Sequence, residues 1–368
     1  MRLVFEGEWS RAYIVERSAT DLVFTFNHFD PARTDFQKPN FSVFYERLGV
    51  SQIIVLTKKN DWFLNSDLTE LLKTCSKEAS AYKNVTCYGF RMGGYGAMIF
   101  SGAVRANRVA LISPQFSIDR AKVPFEHRWH GASAAIDFSL ESFDDRIAQD
   151  AAGFVVFDPN HEEDSRQAGM ILKKAPKWTP IRPWHSQHPA SKFLVETATL
   201  SAFGQALLGP SPTRLGLEKI YRKARGRSPS YLTYLAEATA KRRPAIALEA
   251  TRRGMASDLS KAGPWVPFLI GHRAYRLGLP GALELMETAA DNLKTHPVWW
   301  HGVIRAALHK KVEQAETEAD RLRSRVVELE KENARLEAES SIWRYKRIRS
   351  ILFTKIGQVW GRHAVQKN

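Results

Sequence analysis

Short apolar segments alternate with helical patterns between residues 11 and 182 of the chain. Six of these segments are predicted strands, because each is a nearly continuous apolar run of the kind that both faces of a sheet bury. They are Asp21–Phe26, Gln52–Thr57, Asn84–Tyr88, Arg108–Ile112, Gly153–Phe157 and Trp178–Arg182. Predicted helices lie at residues 67–82, 92–104, 140–151, 162–174 and 191–208. This alternation predicts an α/β domain over residues 1–208, with a mostly parallel, doubly wound sheet.

From residue 209 the pattern changes to successive helices without a strand, which predicts a helical region over residues 209–304. The segments PAIALEATRRG, from Pro244, and GALELMETAAD, from Gly281, are similar at an offset of 37 residues, and each follows another helical run. This spacing favours either helix-pair repeats of the tetratricopeptide type or ordinary packing of amphipathic helices.

A heptad pattern covers residues 305–343 and predicts a coiled coil that joins two copies of the chain. A buried Asn333 would fix the register of a two-stranded parallel pair. The alternative is a single helix packed on its own domain. The two core positions of the heptad are occupied by Leu308, Ala315, Leu322, Leu329, Leu336 and Trp343, and by Val312, Ala319, Val326, Asn333 and Ser340.

The segment 344–368 contains seven Lys and Arg residues and no Asp or Glu. Ile348, Leu352 and Ile356 share one helical face, which predicts a basic amphipathic helix. Such a helix either lies on an anionic membrane surface or caps the coiled coil. The first alternative would place the protein at the inner surface of a membrane as a peripheral protein.

Composition limits the function classes further. The chain has 368 residues, a net charge of +15 and two cysteines, Cys75 and Cys87, which favours a cytoplasmic protein without a disulfide scaffold. No signal peptide or membrane-spanning pattern is recognisable.

Residues 1–203 are nearly neutral, with 24 Lys and Arg against 23 Asp and Glu, so the positive charge belongs to the C-terminal half. No nucleic-acid-binding module accompanies it, and no metal or cofactor is predicted.

The most informative motif is the run Gly89-Phe90-Arg91-Met92-Gly93, which follows an apolar strand directly and opens a predicted helix. It resembles the nucleophile elbow Gly-x-Ser-x-Gly of the α/β-hydrolases, and Gly89 and Gly93 match its flanking glycines. The resemblance covers roughly residues 11–208 and implies an α/β-hydrolase type of sheet. The continuation LISPQFSIDRAKVPFEHRW, from Leu111, is similar to a bacterial subgroup with Met-Gly-Gly-Tyr elbows, sometimes linked to surface-polysaccharide loci.

In that family the catalytic acid follows a later strand and the histidine follows the last one. The resemblance therefore implies Asp164 as the acid, with Asp158 as the alternate. It implies His188 as the histidine, with His185 as the alternate.

The resemblance also implies an oxyanion hole, a pair of N–H donors that stabilises a negatively charged oxygen. Its donors would be the backbone N–H of Met92 and that of Asn27 or His28, after the strand Asp21–Phe26.

The position that the family gives to serine holds Arg91. A guanidinium stays protonated and offers only donors, so a histidine cannot activate it to attack a carbonyl. We therefore predict that acyl-enzyme catalysis is absent, and that the chain has a binding or scaffolding role. The alternative is a divergent ester hydrolase or acyltransferase in which His188 and Asp164 act without a serine.

A cation at a helix N-terminus opposes the helix dipole by about 0.3–1 kcal/mol, so Arg91 needs compensation. One candidate is an ion pair with Asp164 or Asp158. The other is an anionic small molecule or glycan, held by Arg91 together with the start of the helix at Gly93 and Gly94 and with His28.

Overall fold

The computed structural model describes residues 1–295, 317 and 320–332. The chain divides into two compact units, Met1–Gly263 and Pro264–Asn368. The first contains the sheet and the candidate site, and the described part of the second contains two helices and the helical segment 320–332.

The first unit is built on an eight-stranded sheet with the strand order β1-β2-β4-β3-β5-β6-β7-β8. The last six strands of this order are parallel to one another, whereas β2 is antiparallel to both β1 and β4. The mostly parallel sheet predicted from the sequence is therefore present. The strands are β1 (Arg2–Glu6), β2 (Ser10–Val15), β3 (Asp21–Phe26), β4 (Ser51–Thr57), β5 (Asn84–Phe90), β6 (Arg108–Ile112), β7 (Ala152–Val156) and β8 (Thr179–Ile181).

Strands β1 and β2 were not among the predicted strands. In β2 the buried Ala12 and Ile14 alternate with the partly exposed Arg11 and Tyr13. A strand near the edge of a sheet buries one face more than the other, so it lacks the continuous apolar run by which the central strands are recognised.

Ten helices are described in the first unit and two in the second. They are α1 (Val43–Arg47), α2 (Leu68–Ala79), α3 (Met92–Ser101), α4 (His130–Ser133), α5 (Glu162–Lys174), α6 (Ala190–Glu196), α7 (Leu200–Leu208), α8 (Arg214–Ala224), α9 (Pro229–Thr239), α10 (Pro244–Met255), α11 (Val266–Arg276) and α12 (Ala282–Thr295). The predicted helix 191–208 is thus two helices, which are separated at Ala198, a residue with φ of 54°.

The predicted helix at residues 140–151 is wrong. Only a 3₁₀ turn, Phe138–Leu140, touches this stretch. Part of its backbone bonds to the end of α3: the Arg146 carbonyl accepts from Gly102 N–H at 2.8 Å, and Ala148 N–H donates to Ser101 Oγ at 2.9 Å. These tertiary bonds replace the i to i−4 ladder that a helix would need.

Two hydrophobic clusters cover the two faces of the sheet. The first includes Phe24, Val55 and Cys87 from the strands and packs against α2, α3 and α5. The second includes Tyr88 and Ala110 and packs against α6 to α10. Neighbouring residues of one strand enter different clusters because successive side chains point to opposite faces.

The predicted domain boundary after residue 208 falls inside the first compact unit. Helices α8, α9 and α10 contribute residues such as Leu217, Leu232 and Ala250 to the same cluster as the sheet residues, so they complete the second face of the sheet. The unit therefore continues to Gly263. In it α9 packs against α10, as α11 packs against α12 in the second unit. These helix pairs agree with the spacing in the sequence, and the tetratricopeptide assignment stays a prediction.

Residues 320–332 are helical, and Leu322 and Val326 are 49% and 52% exposed. The rest of the heptad segment, including Asn333, and the basic segment 344–368 lie outside the described residues. The coiled coil, the homodimer and the membrane contact therefore stay predictions. Among the residues that the structure describes, no helix is both long and apolar enough to span a bilayer.

Candidate functional site

Strand β5 passes into helix α3 through a sharp turn at Arg91. This residue has φ of 51° and ψ of −121°, a strained conformation for a residue with a side chain. Arg91 N–H donates to the Ile112 carbonyl at 3.0 Å, and the Arg91 carbonyl accepts from Tyr95 N–H at 3.0 Å. The strand–turn–helix geometry expected from the sequence is therefore present.

Close backbone approach explains the two glycines that flank Arg91. A Cβ on Gly89 would lie 2.0 Å from the Gly93 carbonyl oxygen, and a Cβ on Gly93 would lie 2.9 Å from the Phe26 carbonyl oxygen. Both distances are shorter than van der Waals contact, so any side chain at these positions would force the turn open. Gly94, which we predicted to be a ligand-binding residue, lies in the first turn of α3.

The structure brings together Asp164, in the first turn of α5, and His188, in the loop between β8 and α6. His188 Nδ1 lies 2.9 Å from each carboxylate oxygen of Asp164. An ionised carboxylate only accepts, so Nδ1 carries the proton and Nε2 is left as an acceptor. Nε2 is buried and has no hydrogen-bond partner among the described residues. Whether the pair has a catalytic role stays a prediction.

Burial and neighbouring charges together set the protonation of His188 and Asp164. Burial, with smaller contributions from Arg128 and Arg91, lowers the pKa of His188 to about 3, although Asp164 opposes the shift. Burial alone would raise the pKa of Asp164, but the adjacent His188 and the Arg128 guanidinium hold that pKa far below its ordinary value. At neutral pH the pair is therefore a carboxylate beside a neutral imidazole.

Arg128 holds the Asp164 carboxylate from the other side, with Nη1 2.7 Å from Oδ1. The same guanidinium binds both carboxylate oxygens of Glu126, at 2.8 Å and 2.6 Å. Gln167 Nε2 donates to Glu126 Oε2 at 3.1 Å. Asp164 and Glu126 are buried, so Arg128 is the cation that compensates two buried carboxylates. Sequence reasoning missed this network, because Arg128 lies 36 residues before Asp164 and no local pattern shows that the two side chains meet.

The two alternates of the sequence analysis lie elsewhere. Asp158 accepts backbone N–H groups from Asn160, His185 and Gln187, at 2.9, 3.1 and 2.7 Å, and so fixes the loop that carries His188. His185 Nδ1 lies 3.0 Å from Asn160 Nδ2. The structure gives both residues contacts that stabilise the loop, and it does not join either to the Asp164–His188 pair.

The Arg91 side chain makes no hydrogen bond or ion pair with any described residue, although it is only partly exposed. The expected ion pair with Asp164 or Asp158 is not formed, because His188 and Arg128 occupy the first carboxylate and three N–H groups occupy the second. Burial lowers the pKa of Arg91, and Asp164 opposes that shift. A guanidinium nevertheless stays charged at physiological pH.

The oxyanion-hole prediction for Asn27 is wrong. Its N–H donates to the Val55 carbonyl at 3.2 Å, and its side chain is bonded to Thr57, so β3 is still paired with β4 at this point. The N–H of His28, the alternative, and that of Met92 make no hydrogen bond within the described part of the chain. These two amides, beside Arg91, are the available donors. Burial and then the charge of Arg91 lower the pKa of the His28 side chain.

Three hydroxyl or thiol side chains of the first unit, those of Ser113, Ser117 and Cys87, are engaged in other contacts or buried. Ser113 Oγ accepts from Ala190 N–H at 2.9 Å, and Ser117 Oγ donates to Glu141 Oε2 at 3.0 Å. Cys87 is fully buried in the first hydrophobic cluster, and burial raises the pKa of its thiol. Thiolate formation there is disfavoured.

No protein-family model matches the chain, and no curated protein matches it. Solved structures do match. The capsule O-acetyltransferase of Neisseria meningitidis serogroup A is 13% identical, with 55% of this chain and 93% of that chain covered and a TM-score of 0.41. The Glycosylation Associate Protein (Gap123) complex from Streptococcus agalactiae is 13% identical, with 55% and 44% covered and a TM-score of 0.42. The Pyrococcus furiosus esterase Pf2001 is 10% identical, with 58% and 87% covered and a TM-score of 0.36. Similarity at this level concerns the fold and carries no conclusion about function.

Proposed function

We propose that the turn at Arg91 binds an anionic ligand and forms no acyl-enzyme, so that the chain works as a binding or scaffolding protein. One observation carries the proposal: a partly buried guanidinium occupies the nucleophile position and has no partner among the described residues. The nearby carboxylate that should neutralise it, Asp164, is already bound by His188 and Arg128. A charge removed from water in this way is costly unless a ligand pairs with it.

The groups around Arg91 suit an anion. The N–H groups of Met92 and His28 have no acceptor among the described residues, and Met92 begins helix α3, whose N-terminus carries partial positive charge. A guanidinium beside two backbone donors matches the geometry of a phosphate, sulfate or carboxylate, including one carried by a glycan. The Met-Gly-Gly-Tyr resemblance is our reason for proposing surface-polysaccharide metabolism as the setting.

The state of His188 also favours binding over catalysis. A general base must reach the proton that it abstracts, directly or through one water. Nε2 of His188 is closed off from solvent in this structure. In the proposed site the His188–Asp164 pair therefore has a structural role, with His188 as a neutral imidazole.

Titration with sulfate tests the proposal, because sulfate does not itself titrate near neutral pH. We expect the full chain to bind sulfate by calorimetry, and Arg91→Gln to weaken binding by about tenfold or more, since a charge-assisted contact is lost. Arg166→Gln is the matched control, because Arg166 is exposed and pairs with Glu162. Equal sulfate affinity in the unmodified chain and Arg91→Gln would rule out the proposed site.

The Asp164–His188 hydrogen bond favours a second candidate, a divergent ester hydrolase or acyltransferase that activates water or an acceptor hydroxyl without a serine. This candidate requires a movement that exposes Nε2. Turnover of simple esters by the unmodified chain, lost in His188→Ala, would favour it over the binding role.

A further inference from the structure

A cavity of about 780 Å³ lies against the sheet in the first unit, and we call it the sheet-face cleft. Strands β3, β4 and β5 contribute to its lining, as do α1, α7 and the segment before α1. Its volume is in the range of sites that hold small organic ligands. Arg91 does not line the cleft, although Phe90, which precedes it in the chain, and His28, a proposed donor of the Arg91 site, both do.

Much of the lining is apolar. Ile54, Leu56 and Tyr88 belong to the sheet and are buried, and Phe90 packs edge-to-face against Tyr88 with ring centroids 5.0 Å apart. Phe44 of α1 also lines the cleft. A surface of this kind gains free energy by covering an aliphatic or aromatic body.

The Lys and Arg residues that line the cleft are not accompanied by any Asp or Glu residue in the lining. Lys38 and Arg47 line the cleft and are exposed, and no carboxylate residue lines it. Neither cation makes an ion pair with a residue that the structure describes. An apolar pocket with two unopposed cations attracts an organic anion.

Gln52 supplies a third constraint. Its side chain is 1% exposed and lines the cleft, and its Nε2 donates to Thr25 Oγ1 at 3.0 Å. Its Oε1 has no hydrogen-bond partner among the described residues. A buried carbonyl oxygen without a donor is costly. Oε1 is closed to solvent in this structure, so a ligand with a hydroxyl or amide N–H would satisfy it only after the Gln52 side chain turns toward the cleft.

We propose that the sheet-face cleft binds an amphiphilic organic anion: an aliphatic or aromatic body that carries an acidic group and a hydrogen-bond donor. The body lies on the sheet, the acidic group pairs with Lys38 and Arg47, and the donor bonds to Gln52 Oε1 once that side chain has turned toward the cleft. This inference goes beyond the proposed function, because it does not depend on an anion at Arg91.

Three small molecules separate the contributions to binding in calorimetric titrations of the full chain. N-decanoylglycine has the body, the amide N–H and the carboxylate; N-decanoylethanolamine lacks the charge; N-acetylglycine lacks the body. We expect N-decanoylglycine to bind about tenfold tighter than either analogue, because it alone meets all three features. Equal affinity for N-decanoylglycine and either analogue would overturn the proposal.

Substitutions then locate the site. Ser201 is exposed on α7 and lines the cleft, whereas Ala202 is exposed on the same helix and does not line it. We expect Ser201→Trp to abolish binding of N-decanoylglycine and Ala202→Trp to preserve it.

The double variant Lys38→Gln/Arg47→Gln should reduce the affinity to that of the neutral analogue. Unchanged binding in Ser201→Trp, or in the double variant, would contradict the proposed site. Loss of sulfate binding in Arg91→Gln has no bearing on these results, so the two proposals fail separately.

Discussion

Arg91→Ser is expected to raise the esterase activity of the chain well above that of the unmodified chain. The turn keeps its geometry through the Ile112 and Tyr95 bonds, and a serine there would carry a hydroxyl at the position where the family has its nucleophile. Asp164 and His188 are already hydrogen-bonded, and His188 is neutral at pH 7. Removing the guanidinium also removes a positive charge that disfavours an imidazolium at His188. The result would be a hydroxyl nucleophile added to the Asp164–His188 pair, and catalysis then requires Nε2 of His188 to reach that hydroxyl.

The measurement is kcat/KM for p-nitrophenyl acetate. We expect kcat/KM to rise roughly 10²-fold or more over that of the unmodified chain, because a complete triad contributes several powers of ten to the rate. Arg91→Ala is the matched control, since it creates the same space without a hydroxyl. The gain should vanish in Arg91→Ser/His188→Ala. Equal activity in Arg91→Ser and Arg91→Ala would contradict the conclusion that the rest of the site is intact.

Arg128→Ala should cause the largest loss of stability at the site. Arg128 is the cation bound to both Glu126 and Asp164, whose carboxylates are 1% and 0% exposed. Removing one partner of a buried ion pair leaves an uncompensated charge and costs about 3–5 kcal/mol. We expect a decrease of that order in the free energy of unfolding, measured by denaturant titration.

Arg166→Ala is the control for this variant. Its ion pair with Glu162 has side chains 51% and 78% exposed, and exposed pairs contribute about 0–1 kcal/mol. A loss below about 1 kcal/mol for Arg128→Ala would contradict the role of Arg128 as the counterion of the buried carboxylates.

The central sheet could be predicted because its strands are apolar throughout, as in β6 and β7, so local composition identifies them. The N-terminal β2 alternates and was missed, and the stretch 140–151 was assigned to a helix although its backbone is bonded to α3. In both cases the deciding interactions are with distant parts of the chain, which local periodicity does not report.

The candidate site likewise contains contacts that the sequence predicted and contacts that it did not. The resemblance gave Asp164 and His188, with Asp158 and His185 as alternates, and the structure places Asp164 and His188 2.9 Å apart. The choice between Asn27 and His28 depended on where the pairing of β3 with β4 ends, a difference of one residue. The link between Arg128 and Asp164 spans 36 residues of sequence and has no motif. Only coordinates reveal such a pair.

Labelling with a fluorophosphonate, which reacts covalently with activated serine hydroxyls, tests the central claim most directly. Mass spectrometry of the labelled full chain would locate the site of reaction. The absence of a nucleophile at the turn predicts no label within residues 1–208 of the unmodified chain, and a label at position 91 in Arg91→Ser. A label on any residue of 1–208 in the unmodified chain would contradict the claim.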